Sequence, residues 1–484
     1  MSDKGTAQHA GDYIMDDVVI LSNTGETHNI QNQIIELNIF ESIRRPVMSG
    51  SLMIEDGTAL IETAPIVGQE RIMFSLTSSK DHEMIDFKTY SGVITEISKR
   101  DPSTVGGVQT YILHFNTLEA VKNIRTKVSK SYSGTNEEIV LDILKDENYL
   151  NCGKSIEFEP TYGIHNYVMP NLNPLQCIDM ISKRSVSATN GSGFIFYENH
   201  NGFHFRSIPS LYADESGVAI KPKEIYVYGP PVGPHSEHTF GTKTIVSFEV
   251  VNSHNTFYRL GEGMFGSKLT KYDIYNKNFG EYEFNYHNAF KSYNHAMSGE
   301  TNFGPMLSES PIDDTGKSIS EFPDSRCFLV SSGSRDMYTD GSFDNHCEEW
   351  LQSGNSRRLE AEFFINKITV HGNSNIAAGD ILDLRIPSSR PFKDGTPTKD
   401  HLEKFLSGRY IADSVRHKVV PRLKSYVTVI ECVKDSIANP MPKSEFTFPE
   451  EPKNPIKSVQ SEVQTSMGNV SIPSKPSYSI PSFT

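Results

Sequence analysis

The chain has 484 residues, of which 37% are hydrophobic and 22% charged, and its 46 basic and 60 acidic side chains leave a formal charge of −14. That length predicts about three domains, and the acidic balance excludes a counterion-releasing grip on nucleic acid, because the basic clusters are as short as Arg44-Arg45 and Arg357-Arg358. The five cysteines (Cys152, Cys177, Cys327, Cys347 and Cys432) are odd in number, scattered and free of any CxxC pair, which excludes a disulfide framework or a zinc ribbon and predicts reduced packing residues.

The first residues show neither a basic n-region nor an apolar h-region, and no apolar run approaches about 20 residues, so neither a secretory leader nor a membrane span is expected. Strands are predicted from Tyr13 onward: Asp17–Leu21, Ile34–Phe40, and Val47–Ile54 with Gly50 inside it as a bulge or bend. Together with the strands that follow, they predict a first all-β barrel over 13–118. The period then changes. Thr135-Asn-Glu-Glu138 reads as a capping box ahead of Ile139, Val140, Ile143 and Leu144 at helical spacing. Asn173-Pro174 opens a second helix, with Leu175, Ile178 and Ile181 on one face and Lys183 and Arg184 at its end. Phe194–Glu198 and Phe203–Ile208 flank Asn201-Gly202, a hairpin turn by composition. Residues 119–240 therefore read as an α+β insertion.

Thr244–Val251 reads as a buried strand, 298–342 as long loops rich in Gly, Ser, Asp and Pro, and Asp344–Leu359 as a helix carrying Trp350 and weakened by Gly354. These make 241–357 a stretch of strand, loops and helix that leads to a second barrel over 358–435. That barrel starts with the strand Ala361–Val370. From Asn439 prolines recur at 440, 442, 449, 452, 455, 473, 476 and 481, and residues 436–484 are expected to form an extended tail. Composition alone leaves two roles for it, a plain linker or a segment that orders along a partner.

The second barrel repeats the first. VGQERIMFSLTSS, SGVITEISKR and QTYILHFNTL in one half match AAGDILDLRIPSS, SGRYIADSVRH and KSYVTVIECV in the other. Gly92 to Tyr111 spans 19 residues and Gly408 to Tyr426 spans 18, while Gly68 to Gly92 spans 24 against 29 for Gly379 to Gly408. Two copies fall short of a solenoid and point to two related barrels, although unrelated antiparallel meanders would give a similar pattern.

Catalytic signatures are sparse. His200 and His204 have zinc-like spacing but straddle a turn, and His235 and His238 lie among prolines with no third ligand nearby. Gly261-Glu-Gly-Met-Phe-Gly266 matches GxGxxG without the preceding strand and following helix, so a turn-rich loop is expected. Glu137/Glu138, Glu348/Glu349 and Glu450/Glu451 are adjacent and face apart on a helix. No GxSxG elbow, HExxH or Walker loop occurs. No catalytic, cofactor-binding or metal residue is expected, and an acid pair assembled from distant loops is the remaining enzymatic alternative, a tail-associated enzyme that cuts cell wall or polysaccharide.

Four stretches, in this order, resemble the baseplate hub protein of contractile-tailed bacteriophages, which is related to the hub of secretion-system spikes. They are Asn32–Glu55, Asn173–Ile208, Gly263–Asp273 and Trp350–Val433, within about residues 13–435. The resemblance implies a mainly β fold with an α+β insertion and two related antiparallel β-barrels in one chain, forming a pseudo-sixfold ring as a trimer. It implies a structural, non-enzymatic role in the virion tail baseplate after synthesis in the host cytoplasm. The implied partners are further copies of the chain (a homotrimer), the sixfold tail tube protein, the threefold central spike protein, and baseplate wedge or other hub-associated proteins. Genomic DNA would pass through the lumen without specific binding. The 298–342 loops and the Pro-rich tail have no counterpart in the family core.

Overall fold

The computed structural model describes residues 10–64, 66–79, 81–101, 107–214, 216–229, 243–273, 277–300, 302–312, 315–331, 345–389, 402–438 and 440–443. Among these, no helix is long and apolar enough to cross a membrane.

Alternating apolar residues build the first half from six strands: β1 (Val19–Leu21), β2 (Ile34–Ser42), β3 (Ser49–Asp56), β4 (Arg71–Met73), β5 (Gly92–Asp101) and β6 (Gln109–Thr117). Period-2 alternation in β3 and β6 turns Leu52, Ile54, Tyr111, Leu113 and Phe115 onto one core, with Phe74 and Phe87 stacked 4.9 Å apart beside Phe115.

The chain then leaves the sheet for α1 (Leu118–Arg125), α2 (Asn136–Lys145) and α3 (Pro174–Arg184), followed by the hairpin β7 (Phe194–Asn199) and β8 (Gly202–Ser207). Both helix starts lie where capping chemistry places them: Thr135 and Asn173 precede the helices, and their N–H groups donate to Glu138 Oε2 (3.1 Å) and Gln176 Oε1 (3.2 Å). The hairpin forms as expected, but its turn is one residue earlier. Asn199 pairs with Gly202, so His200 and Asn201 are the loop. Gly202 instead takes φ +134° where the backbone of Ser155 presses close: a Cβ there would stand 2.4 Å from Ser155 O.

The second half contributes β9 (Glu224–Tyr228), β10 (Thr244–Ser253), β11 (Phe364–His371), β12 (Ile381–Arg385), β13 (Gly408–Val420) and β14 (Ser425–Val433); α4 (Cys347–Glu360) falls between β10 and β11 in the sequence and packs against α3 and the strand Gly266–Asp273. The second barrel therefore begins well before residue 358, because β9 and β10, assigned by sequence to the insertion segments, are needed to complete its circumference.

The spatial order β2-β3-β6-β5-β4-β1 in the first half recurs as β10-β11-β14-β13-β12-β9 in the second. Gly68 and Gly379 precede the matching strands β4 and β12 with φ of +95° and +97°. In the second half β9 pairs parallel with both β12 and β10, which closes a six-stranded barrel. In the first half β1 pairs antiparallel with β4 and with Thr27–Asn29, so that sheet runs on past β1. One ladder fuses the halves: β2 and β13 pair antiparallel from Ser42↔Ser414 to Leu37↔Val419, making a 13-stranded sheet.

Three further expectations need correction. Thr244–Ser253 is a strand, but Val246 and Val251 are 58% and 51% exposed and only Ile245 is buried. Register shifts at Ile245/Ser247 and Val250/Asn252 re-aim its side chains, and the apolar run lies on the outside of the barrel. The 298–342 stretch is not all loop, because Cys327–Ser331 pairs parallel with the strand Gly266–Asp273. The tail does not begin at 436: Ser436–Ala438 pairs with Phe303–Pro305, and Ser436 and Ile437 are buried. The α4 helix starts at Cys347, and Gly354 suits it by allowing close approach to Ser192 and Gly193. Residues 444–484 and 332–344 lie outside the described residues.

Candidate functional site

Three clusters of ionisable side chains are buried where the insertion meets the barrels. The first centres on Glu41. Because β2 and β13 pair with Glu41 opposite Val415, the side chains of Glu41 and His417 are diagonal neighbours on one face. The hairpin loop inserts His200 between them. His200 Nδ1 donates to Glu41 Oε1 at 2.8 Å, and the His200 backbone N–H donates to the same oxygen at 3.1 Å. Ala378 N–H donates to Glu41 Oε2 at 3.1 Å. His200 Nε2 faces Glu83 Oε2 at 3.4 Å, and Lys223 holds Glu83 in turn at 3.1 Å.

Burial opposes charge on His200, but the Glu41 and Glu83 carboxylates overcome it and raise its pKa to about 9. The His200 hydrogen bond helps to hold Glu83 at about 2. Burial drives His417 the other way, to about 4, with Glu41 opposing and His200 reinforcing the fall. The pair is thus an imidazolium beside a neutral imidazole, the latter bonded through Nδ1 to the Tyr426 hydroxyl at 2.7 Å.

The second cluster joins His295, Glu360 and Asp435. His295 bridges Asp435 Oδ2 and the Phe290 carbonyl at 2.7 Å each, and Tyr286 donates to Glu360 Oε1 at 2.5 Å. Burial raises Glu360 to about 7 despite His295. In the third, Lys154 bridges Glu119 (2.9 Å) and Glu198, whose Oε2 accepts from Met48 N–H and Thr117 Oγ1 at 2.8 Å. Each cluster pins elements far apart in sequence, and the carboxylates within each are compensated internally.

A cavity of about 570 Å³ lies between α1, α3, β7 and α4, lined by Ile43, Val47, Ile124, Leu175, Phe196 and Ile208. Its wall is largely apolar, and none of the three clusters opens into it.

His200 and His204 do not converge. His204 pairs across the hairpin with Tyr197 and bonds Glu157 and Asn199 at 2.9 Å each. His235 and His238 lie outside the described residues. Gly261–Gly266 follows a helix, Thr256–Gly261, and enters a strand, the reverse of a dinucleotide-binding arrangement. Cys152, Cys177, Cys347 and Cys432 are buried thiols, and Cys327 is exposed. Sequence reasoning missed the grouping of Glu41 and His417 with His200; no local motif joins residues separated by 159 positions and more.

No family model matches the chain, and no curated protein matches it. Solved structures to which it is similar include a tail protein from Neisseria meningitidis MC58, at 10% identity and a TM-score of 0.48, covering 88% of this chain and 97% of that one. Another is the 43 kDa tail protein of prophage MuSo2 from Shewanella oneidensis, at 10% identity and 0.47, covering 87% and 98%. A third is the E. coli c3393 protein, a type VI secretion component, at 12% identity and 0.38, covering 87% and 76%.

Proposed function

We propose that this chain is a structural hub of a contractile-tail baseplate, a trimer that adapts a sixfold tail tube to a threefold central spike around a channel for DNA. The observation that carries the proposal is the duplication: two six-stranded units of identical strand order, fused edge to edge by the β2–β13 ladder. Three copies of such a chain present six similar units in a closed ring, so one face can meet sixfold symmetry while the other stays threefold.

The outer face of β10 and the helix after it supplies a surface for self-contact. Val246, Val250, Val251 and Phe257 are exposed there, Phe257 by 91%. Contiguous exposed apolar side chains mark association surfaces. The formal charge of −14 per chain favours an acidic channel wall that DNA passes without adhering. The division of labour follows the sheet: 13–118 and the β9–β14 strands form the ring, with the helices and hairpin between them bracing it.

No specific observation favours cell-wall cleavage. Two acidic pairs that the fold brings together, Glu119 with Glu198 and Glu360 with Asp435, are buried; Lys154 bridges the first, and in the second His295 pairs with Asp435 while Tyr286 donates to Glu360. Native mass spectrometry of the full chain co-expressed with its spike tests the proposal. Complexes with three chains per spike trimer support it, and a chain that stays monomeric beside the spike contradicts it.

A further inference from the structure

We propose that Glu41, His200 and His417 form a binding site for a divalent transition ion of the zinc class, at the junction of the two barrels and the insertion hairpin. One ligating atom from each residue lies within 4.8 Å of the others. Zinc bonds of about 2.0–2.1 Å put tetrahedral ligand atoms roughly 3.3 Å apart, so the three side chains close on the ion by small shifts.

The second observation is an orphaned nitrogen. His417 is fully buried, its Nδ1 is engaged by Tyr426, and its Nε2 has no hydrogen-bond partner. A buried polar atom without a partner costs free energy that a coordinated ion would remove.

The surrounding groups also match what metal-bound histidines use. A ligating imidazole donates its other N–H to a carboxylate, carbonyl or hydroxyl, which fixes the ring. Glu83 stands at His200 Nε2 and Tyr426 at His417 Nδ1. Ala378 N–H occupies Glu41 Oε2, while Oε1 keeps the His200 backbone N–H on one lone pair and turns the other, now engaged by His200 Nδ1, to the ion. On binding, the proton that His200 Nδ1 now donates to Glu41 Oε1 is released to solvent, and the nitrogen and oxygen lone pairs pass to the metal. Two histidines and one glutamate leave the fourth zinc position to water. The site's place, deep at a three-way junction and away from the large cavity, makes the role structural. The ion ties the hairpin loop to both β2 and β13.

The test uses the full chain, purified without a metal-affinity step. Elemental analysis after dialysis is expected to find about one zinc ion per chain, reduced at least tenfold in His417→Gln. Cobalt(II) added to metal-stripped wild-type chain is expected to give the intense visible bands of a low-coordinate site. That readout needs no variant, so it stands even if His417→Gln fails to fold. Zinc well below one per chain together with the pale spectrum of aquo-cobalt would overturn the proposal. So would full zinc retention in folded His417→Gln.

Discussion

Replacing Lys434 with methionine is expected to stabilise the chain at neutral pH and to lose that advantage in alkali. Lys434 is fully buried at the end of the second barrel, 5.4 Å from the Phe364 ring centroid and 4.8 Å from that of Tyr410. Its Nζ donates to the Ser407 carbonyl at 3.1 Å. Burial lowers its pKa from 10.5 to about 7, with Glu403 and Asp435 only partly opposing the fall. At about 1.4 kcal/mol per pKa unit, the amine penalises the native state by on the order of 4–5 kcal/mol at pH 7. Methionine fills a similar volume without that penalty. It forfeits the bond to Ser407 and leaves that carbonyl unpaired, at about 1–3 kcal/mol. The net gain is about 2 kcal/mol at pH 7. Between pH 7 and 10.5 the unfolded chain binds the extra proton, so wild-type stability rises with pH through that window. The variant's advantage therefore shrinks with pH and reverses at about pH 9, where the remaining penalty falls to the roughly 2 kcal/mol cost of the lost bond. Urea unfolding at pH 7 and pH 10, followed by the fluorescence of Trp350, reads both numbers. An advantage that is the same at the two pH values would refute the reasoning.

Other perturbations have equally defined outcomes. Glu360→Gln keeps an acceptor for Tyr286 and removes a carboxyl whose pKa burial raises to about 7. The unfolded acid loses its proton first, so wild type loses stability as pH rises from about 4.5 to 7, and the variant's relative stability should grow across that interval in thermal scans. Gly372→Ala would set a Cβ 2.1 Å from the Tyr426 ring, which covers the bare glycine across the strands; a loss of about 1–3 kcal/mol is expected by denaturant titration, and a neutral result would show that the ring moves freely. Lys154→Met leaves Glu119 and Glu198 buried together without their cation, and a loss of about 3–5 kcal/mol is expected by the same titration. Val250→Asp should lower oligomer mass in light scattering while leaving the thermal midpoint of the monomer within a degree or two, because Val250 is exposed on β10.

Local chemistry carried much of the fold into view. Thr135 and Asn173 announced their helices, the alternation in Ser49–Asp56 and Gln109–Thr117 announced strands, and Gly68 and Gly379 marked matching strand entries in the two halves. What stayed hidden depends on long-range pairing. Glu224–Tyr228 looks like any short apolar strand, and only its parallel pairing to Ile381–Arg385 and Thr244–Ser253 makes it the stave that closes the second barrel. The apolar run at Thr244–Val251 has the composition of a buried strand, yet most of it is exposed, because hydropathy alone does not say which face of a strand meets the core. Ser436–Ala438 belongs to the folded body although it borders the Pro-rich tail, since its partner strand lies more than a hundred residues earlier. The cluster of Glu41, His200 and His417 was illegible for the same reason, and the zinc-like spacing of His200 and His204, discounted because it straddles a turn, does not reveal it: His204 bonds Glu157 and Asn199.

The most direct test of the central claim is negative-stain electron microscopy of the purified chain, alone and mixed with its spike. The duplicated six-stranded units predict rings with a central hole and six density lobes built from three chains. Compact single particles in both samples would contradict the account.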